Sequence, residues 1–201
     1  MKKTIILLAG YPATGKSYLC NKILEQNHDF EVLSQDEMKE KLWDEYGFNN
    51  MEEKNELEKK SWNQYYEVMD QKMKDGIFLI SDYPFSDKQK DKIATVAKKN
   101  KYQVITIRLT GDIEFLYNRS KGRDLDSSRH LGHLVSCYHK GDILEDRSKA
   151  DCIVTKEIFF DRCMNRGYDK FQLGKLIEID VTDIRKINYP QILKELAAML
   201  E

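Results

Sequence analysis

The stretch LLAGYPATGKSYLC, Leu7 to Cys20, sets two glycines, a lysine and a serine between an apolar run and a helical pattern. Gly10, Gly15, Lys16 and Ser17 fit G-x-x-x-x-G-K-[ST], the spacing of a loop that wraps phosphates. Chance yields this pattern in a chain of such length on the order of one time in a hundred. The surroundings strengthen it: TIILLA (Thr4 to Ala9) reads as a strand, and KSYLCNKILEQ puts Leu19, Ile23 and Leu24 on one helical face. Glycine at 10 and 15 permits backbone angles and a close approach that a β-carbon would obstruct, so successive N–H groups can turn toward one anion. The positive end of the following helix adds to that attraction. Lys16 supplies a compact cation for outer phosphates, and the Ser17 hydroxyl suits Mg²⁺.

The same alternation continues outward. FEVL (Phe30 to Leu33), IFLI (Ile77 to Ile80), QVITIRL (Gln103 to Leu109) and KLIEID (Lys175 to Asp180) are short branched runs of the kind buried on both faces of a parallel sheet. Helical periodicity falls between them over Lys16–Gln26, Asp36–Tyr46, about Glu53 to Lys74, Ser86–Asn100 and Asp112–Lys121, and a closing helix runs from Asn188 to Leu200. The stripe Leu57, Trp62, Tyr65, Val68, Met69 and Met73 reads as core-facing. The expectation is α/β: a P-loop NTPase fold with a five-stranded, mostly parallel sheet and helices on both faces. The 201 residues suit a single domain, with a lid and acceptor-side segment over about 119–174. The part from Asp124 to Gly174 is the least periodic.

Composition narrows the partners. Thirty-three basic and 34 acidic residues give a formal charge of −1, which offers a nucleic-acid backbone no general attraction. No apolar run approaches a membrane span, and the opening MKKTIILLAG enters the glycine loop where a signal peptide would present a cleavage site. Cys20, Cys137, Cys152 and Cys163 form no C-x-x-C pair, as expected of reduced thiols in a cytoplasmic chain. The oligomeric expectation is a monomer or homodimer.

In such sheets ligands gather at the carboxyl ends of strands. Asp36 follows the second strand in SQDEMKEKL, where Ser34 and Glu37 also have capping-box spacing. Asp82 follows the third in SDYPF. Either carboxylate suits the base of a phosphoryl transfer; we read Asp36 as substrate-facing and Asp82 as metal-facing, with Ser17. FLYNRSKGRDLDSSRHLGH then sets Arg119 and Arg123 four apart on one helical face, with Arg129 beyond. Guanidinium groups on a closing segment stabilise a transferring phosphoryl. His130, His133, Cys137 and His139 match no structural zinc spacing, so His130 or His133 reads as a substrate or phosphate contact.

These residues resemble the small P-loop kinases related to zeta toxin, polynucleotide kinase and gluconate-kinase-like enzymes, AAA-type ATP-binding proteins. GYPATGKS, LSQDEMKEKL, the Asp82 strand end, YNRSKGRD, RHLGH and YDKFQLGKLIEIDVTD carry the likeness across nearly the whole chain. The resemblance implies ATP or GTP with Mg²⁺, held around Gly10, Tyr11, Pro12, Ala13, Thr14, Gly15, Lys16, Ser17 and Tyr18 with Arg119. It further implies γ-phosphoryl transfer to a hydroxyl of a small-molecule acceptor near Asp36, Arg123, Arg129, His130 and His133. The rival expectations are a nucleotide-gated NTPase without such an acceptor and a polynucleotide 5′-end kinase.

Overall fold

The computed structural model describes residues 2–201. Its five strands are β1 (Thr4–Gly10), β2 (Phe30–Val32), β3 (Phe78–Asp82), β4 (Gln103–Thr110) and β5 (Lys175–Asp180). They form one sheet in the order β2-β3-β1-β4-β5, and every ladder is parallel. The seven helices are α1 (Lys16–Gln26), α2 (Gln35–Tyr46), α3 (Met51–Lys74), α4 (Asp87–Lys99), α5 (Ile113–Leu125), α6 (Lys156–Asn165) and α7 (Tyr189–Leu200).

β1 is buried along its whole length because both of its faces are covered. Ile6 and Leu8 point into one core with Leu19 and Ile23 of α1, Leu116 of α5, Phe159 of α6 and Leu196 of α7. Ile5, Leu7 and Ala9 point into the other, with Tyr65, Met69 and Met73 of α3 and Ile93 of α4. The expected α3 stripe is thus core-facing, with Leu57, Trp62 and Val68 partly buried at its margins. The chain leaves β1 toward β3 and β2 on one side and returns to β4 and β5 on the other. The crevice at that reversal opens above the carboxyl end of β1, where the glycine loop begins.

Two features extend beyond the sequence pattern. α5 continues to Leu125, one turn past the expected Lys121. Within the least periodic stretch, α6 packs Phe159 and Cys163 into the first core, and Phe171 enters the second. Residues between α5 and α6 run as turns, including two 3-10 turns at Leu131–His133 and Arg147–Lys149. This stretch docks on α2 and α3 through a small cluster of Trp43, Phe48 and Tyr138, and a single antiparallel bridge joins Phe48 to Tyr138. The Lys54 ammonium of α3 donates to the Val135 carbonyl at 2.9 Å and lies over the rings of Trp43 and Phe48. All four cysteines are free thiols.

Candidate active site

Residues 10–15 leave β1 through three left-handed backbone positions: Gly10 at φ +102°, Ala13 at +61° and Gly15 at +88°. At Gly10 the requirement is absolute, since a β-carbon would stand 1.9 Å from the Leu109 carbonyl oxygen of β4. That carbonyl instead accepts from the Tyr11 amide at 3.0 Å, fixing the start of the loop to the sheet. Ala13 holds a conformation costly for a residue with a side chain, a strain of the kind that gathers at functional sites.

The loop closes on its own lysine. Lys16 Nζ donates to the Tyr11 carbonyl at 2.6 Å and lies 3.4 Å from Thr14 Oγ1, which itself donates to the Tyr11 carbonyl at 2.9 Å. Burial pushes the Lys16 pKa down to about 8, against the opposing pull of Asp82. A buried cation with few partners is a strong anion site, because a bound phosphate would relieve its desolvation. Gly15 caps α1 and brings no side-chain acceptor, so the first-turn amides of this helix face the loop's interior unclaimed by a cap.

Beside the loop, Ser17 Oγ donates to Asp82 Oδ2 at 2.7 Å. Two hard oxygens at this separation match adjacent corners of a Mg²⁺ octahedron, whose bonds of about 2.1 Å place neighbouring ligands roughly 3 Å apart. Among the described residues no group of three or more His, Cys, Asp or Glu is arranged to hold a metal. Mg²⁺ commonly takes one or two protein oxygens and completes its shell from phosphate and water.

Asp36 opens onto the same crevice from the first turn of α2. A cleft of about 360 Å³ is lined by Ser17, Asp36, Asp82 and Arg129, together with Glu37 and Glu40. The Asp36 side chain is 39% exposed and lines this cleft; Lys39 Nζ pairs with its Oδ1 at 2.8 Å. Burial pushes the Asp36 carboxyl up, yet Lys39 foremost, with Arg129, outweighs it and holds the group well below the usual carboxylate range. Asp36 is therefore ionised at neutral pH. Lys39, three residues along α2, is a member of the site that the sequence reading missed; its i,i+3 spacing from Asp36 was the available signal.

The lid-side residues divide. Arg119 lies against the phosphate loop, its Nη2 3.9 Å from where a Gly15 β-carbon would stand, and Tyr18 packs edge-on to Tyr189 at 5.3 Å on the outer side of α1. Arg123 is near enough to Lys16 for its charge to contribute to the lysine's lowered pKa. Arg129 Nη1 stands 3.9 Å from Asp36 Oδ2. The histidines turn elsewhere, toward α2, and neither is among the described residues lining the cleft. The Gly132 amide donates to His130 Nδ1 at 3.0 Å, which leaves the proton on Nε2 to be donated to Asp44 Oδ1 at 3.2 Å. Tyr138 Oη donates to the same carboxylate oxygen at 2.6 Å. His133 packs edge-on against Trp43 and bonds Glu40 at 2.7 Å; burial lowers its pKa to about 4, so it is neutral at pH 7 and donates to the carboxylate. Both rings pin the 129–139 turn to α2 beside the cleft.

No curated protein matches the chain in sequence. Among solved structures, a candidate kinase from Chloroflexus aurantiacus J-10-fl is 22% identical with a TM-score of 0.77 over 100% of both chains. A sugar kinase from Janibacter sp. HTCC2649 is 12% identical with a TM-score of 0.55, over 100% of this chain and 95% of the other. A chain of the Pnkp1/Rnl/Hen1 RNA repair complex is 12% identical with a TM-score of 0.53, over 86% of this chain and 47% of its own. Identities this low establish the fold alone. The family profile described as AAA domain matches residues 5–133, from β1 through the phosphate loop and both strand-end acids to the arginines and His133. The chain belongs to this AAA domain family, and its all-parallel sheet and glycine loop carry the nucleotide-binding P-loop architecture that the family implies.

Proposed function

We propose that the protein is a Mg²⁺-dependent phosphotransferase that moves the γ-phosphoryl of ATP or GTP to a hydroxyl of a small molecule. The observation that carries this reading is the shared cleft: Ser17 from the phosphate loop and Asp36 from α2 line one cavity, with Asp82 and Arg129 also in its wall. A donor loop and an ionised acid facing the same space suit in-line transfer to an acceptor. The Gly10 to Ser17 loop and the first turn of α1, with Tyr18 and Arg119 flanking, would hold the nucleotide. Lys16 would leave its contact with the Tyr11 carbonyl for the outer phosphates.

Ser17 and Asp82 would hold Mg²⁺, which would supply charge neutralisation at the outer phosphates. Asp82 is engaged by Ser17, which leaves Asp36 as the residue for the acceptor. A carboxylate held this far below its usual range is a weak base. It orients the acceptor hydroxyl as a hydrogen-bond acceptor and takes the proton late, which suffices for a loose phosphoryl-transfer transition state. Arg123 and Arg129, on the segment that begins near residue 119, would draw over the reacting group and exclude water.

The acceptor end of the cleft favours a small molecule over a polynucleotide end. Asp36, Glu37, Glu40 and Asp82 line it against one guanidinium, and such a wall repels a phosphate backbone. The test is incubation with Mg·ATP or Mg·GTP and a library of sugars, amino alcohols, nucleosides and short 5′-hydroxyl oligonucleotides, with products read by mass. Gain of one phosphate by a small hydroxyl compound is expected. Stoichiometric phosphate release with no phosphorylated product across the library, or transfer to oligonucleotide ends alone, overturns the proposal.

A further inference from the structure

Two arginines converge on a single buried carboxylate that has no part in the reading above. Asp124, the penultimate residue of α5, is 7% exposed. Its Oδ1 accepts from Arg123 at 3.2 Å through Nη2 and 3.3 Å through Nε. Arg129 Nε approaches the same oxygen at 3.9 Å, while the far end of that guanidinium stands 3.9 Å from Asp36. Arg129 Nε is buried and has no hydrogen-bond partner among the described residues. It is about 1 Å short of bonding distance to Asp124, so a small inward movement of the segment would complete the contact.

The guanidinium of Arg129 stands 3.9 Å from Asp36, while Arg123 is near enough to Lys16 for its charge to act on that ammonium. Like charges this close repel, and a carboxylate between them offsets that repulsion while setting their separation. The turn that carries Arg129 is fixed by other means. Arg147 donates to the carbonyls of Arg129 and Ser127 at 2.7 and 3.1 Å, and the Ser128 amide donates to Asp126 at 2.8 Å. Asp124 is thus spare to the turn's shape but central to its side chains.

We infer that Asp124 is a positioning residue for phosphoryl transfer, holding Arg123 and Arg129 at the spacing that lets both engage one transferring phosphoryl between Lys16 and Asp36. A phosphoryl in transit spreads charge over three equatorial oxygens, and two guanidiniums with an ammonium match that number. The inference rests on the kinase reading above.

The experiment is calorimetric titration of the full chain with Mg·ATP, and with Mg·ADP in the presence and absence of aluminium fluoride, which mimics the phosphoryl in transit. Wild type is expected to bind Mg·ADP more tightly with the fluoride complex. Asp124→Asn is expected to bind Mg·ATP within about threefold of wild type and to lose at least tenfold of that tightening. Asp124→Glu should recover part of it. Arg129→Lys should lose it too, and adding Asp124→Asn to the double variant Arg123→Lys/Arg129→Lys should cost nothing more, because the carboxylate acts through the two arginines. Full tightening in Asp124→Asn, a further loss when Asp124→Asn is added to Arg123→Lys/Arg129→Lys, or a wild type that binds Mg·ATP without any tightening overturns the inference. Should Asp124→Asn fail to fold, Asp124→Ser decides, with wild-type tightening as the contrary result. A wild type that does not bind Mg·ATP refutes the kinase reading itself.

Discussion

α1 and α2 begin at the carboxyl ends of β1 and β2, a short distance apart on the same edge of the sheet, and their first turns are built in opposite ways. α2 is self-sufficient: Ser34 Oγ accepts from the Glu37 amide at 3.2 Å, and Asp36 and Glu37 in the first turn offset the helix dipole. α1 has Gly15 in the left-handed region at its start, no side-chain cap and no acid in its first turn. One helix start has already met its electrostatic demand; the other has kept it open. Equal placement therefore does not mean equal chemistry, and the cap residue decides which strand end suits an anion and which presents one.

Four substitutions or titrations would break or sharpen this contrast. The largest effect is expected from Lys16→Ala, which removes the only side-chain cation of the open loop itself. Mg·ATP-dependent turnover, read as ADP formation, should fall by about 10³-fold, while melting temperature does not fall, since a buried ammonium with a lowered pKa is a cost to the fold. Unchanged turnover would erase the distinction between the two helix starts. Asp36→Asn comes next: transfer to the acceptor should drop about 10²-fold, at the low end for a general base because the carboxylate is a weak one. Calorimetric Mg·ATP affinity should hold, and a parallel loss of both would mean that α2 also serves the nucleotide.

The third is a pH series. The free loop's Lys16, with its pKa lowered to about 8, must be protonated to meet a phosphate. Mg·ATP affinity should be level below pH 8 and then weaken by up to about tenfold per pH unit as the ammonium deprotonates. The same linkage acts on the fold with the opposite sense. The unfolded lysine, at 10.5, binds a proton that the folded one has shed, so the free protein gains stability between about pH 8 and 10.5. An affinity that stays flat to pH 9.5 would contradict the lysine's role. The smallest effect belongs to Ser34→Ala. Loss of the cap should lower stability in urea by about 1 kcal/mol, leaving Mg·ATP affinity untouched.

The same division explains what could be read in the chain. β1 and the loop were legible because each demand falls on residue type at a fixed spacing: Gly10 cannot carry a β-carbon against Leu109, and Ile5 to Ala9 must be apolar on both faces. All five strands and most helices followed from the same periodicity. α6 did not, because its ten residues bury only Phe159 and Cys163 and leave Ile158 and Met164 exposed, so the apolar rhythm is blurred. The acid and arginine positions stood out by type, but their partners did not. Asp124 and Lys39 matter through side chains that meet across turns, and His130 and His133 are directed by Asp44, Glu40 and Trp43 on a separate helix. Spacing along one segment carries no record of such encounters.

The strand-like bridge between Phe48 and Tyr138, with Lys54 beneath it, welds the 129–139 turn to the α2–α3 corner and not to the glycine loop. Whatever reshapes that corner therefore carries Arg129 with it and leaves the backbone geometry at Gly10 and Gly15 alone. For protein engineering this marks a graft boundary: on the proposed reading, α2, its corner and the turn would be exchanged as one cassette to alter acceptor selectivity, while the glycine loop keeps its own geometry.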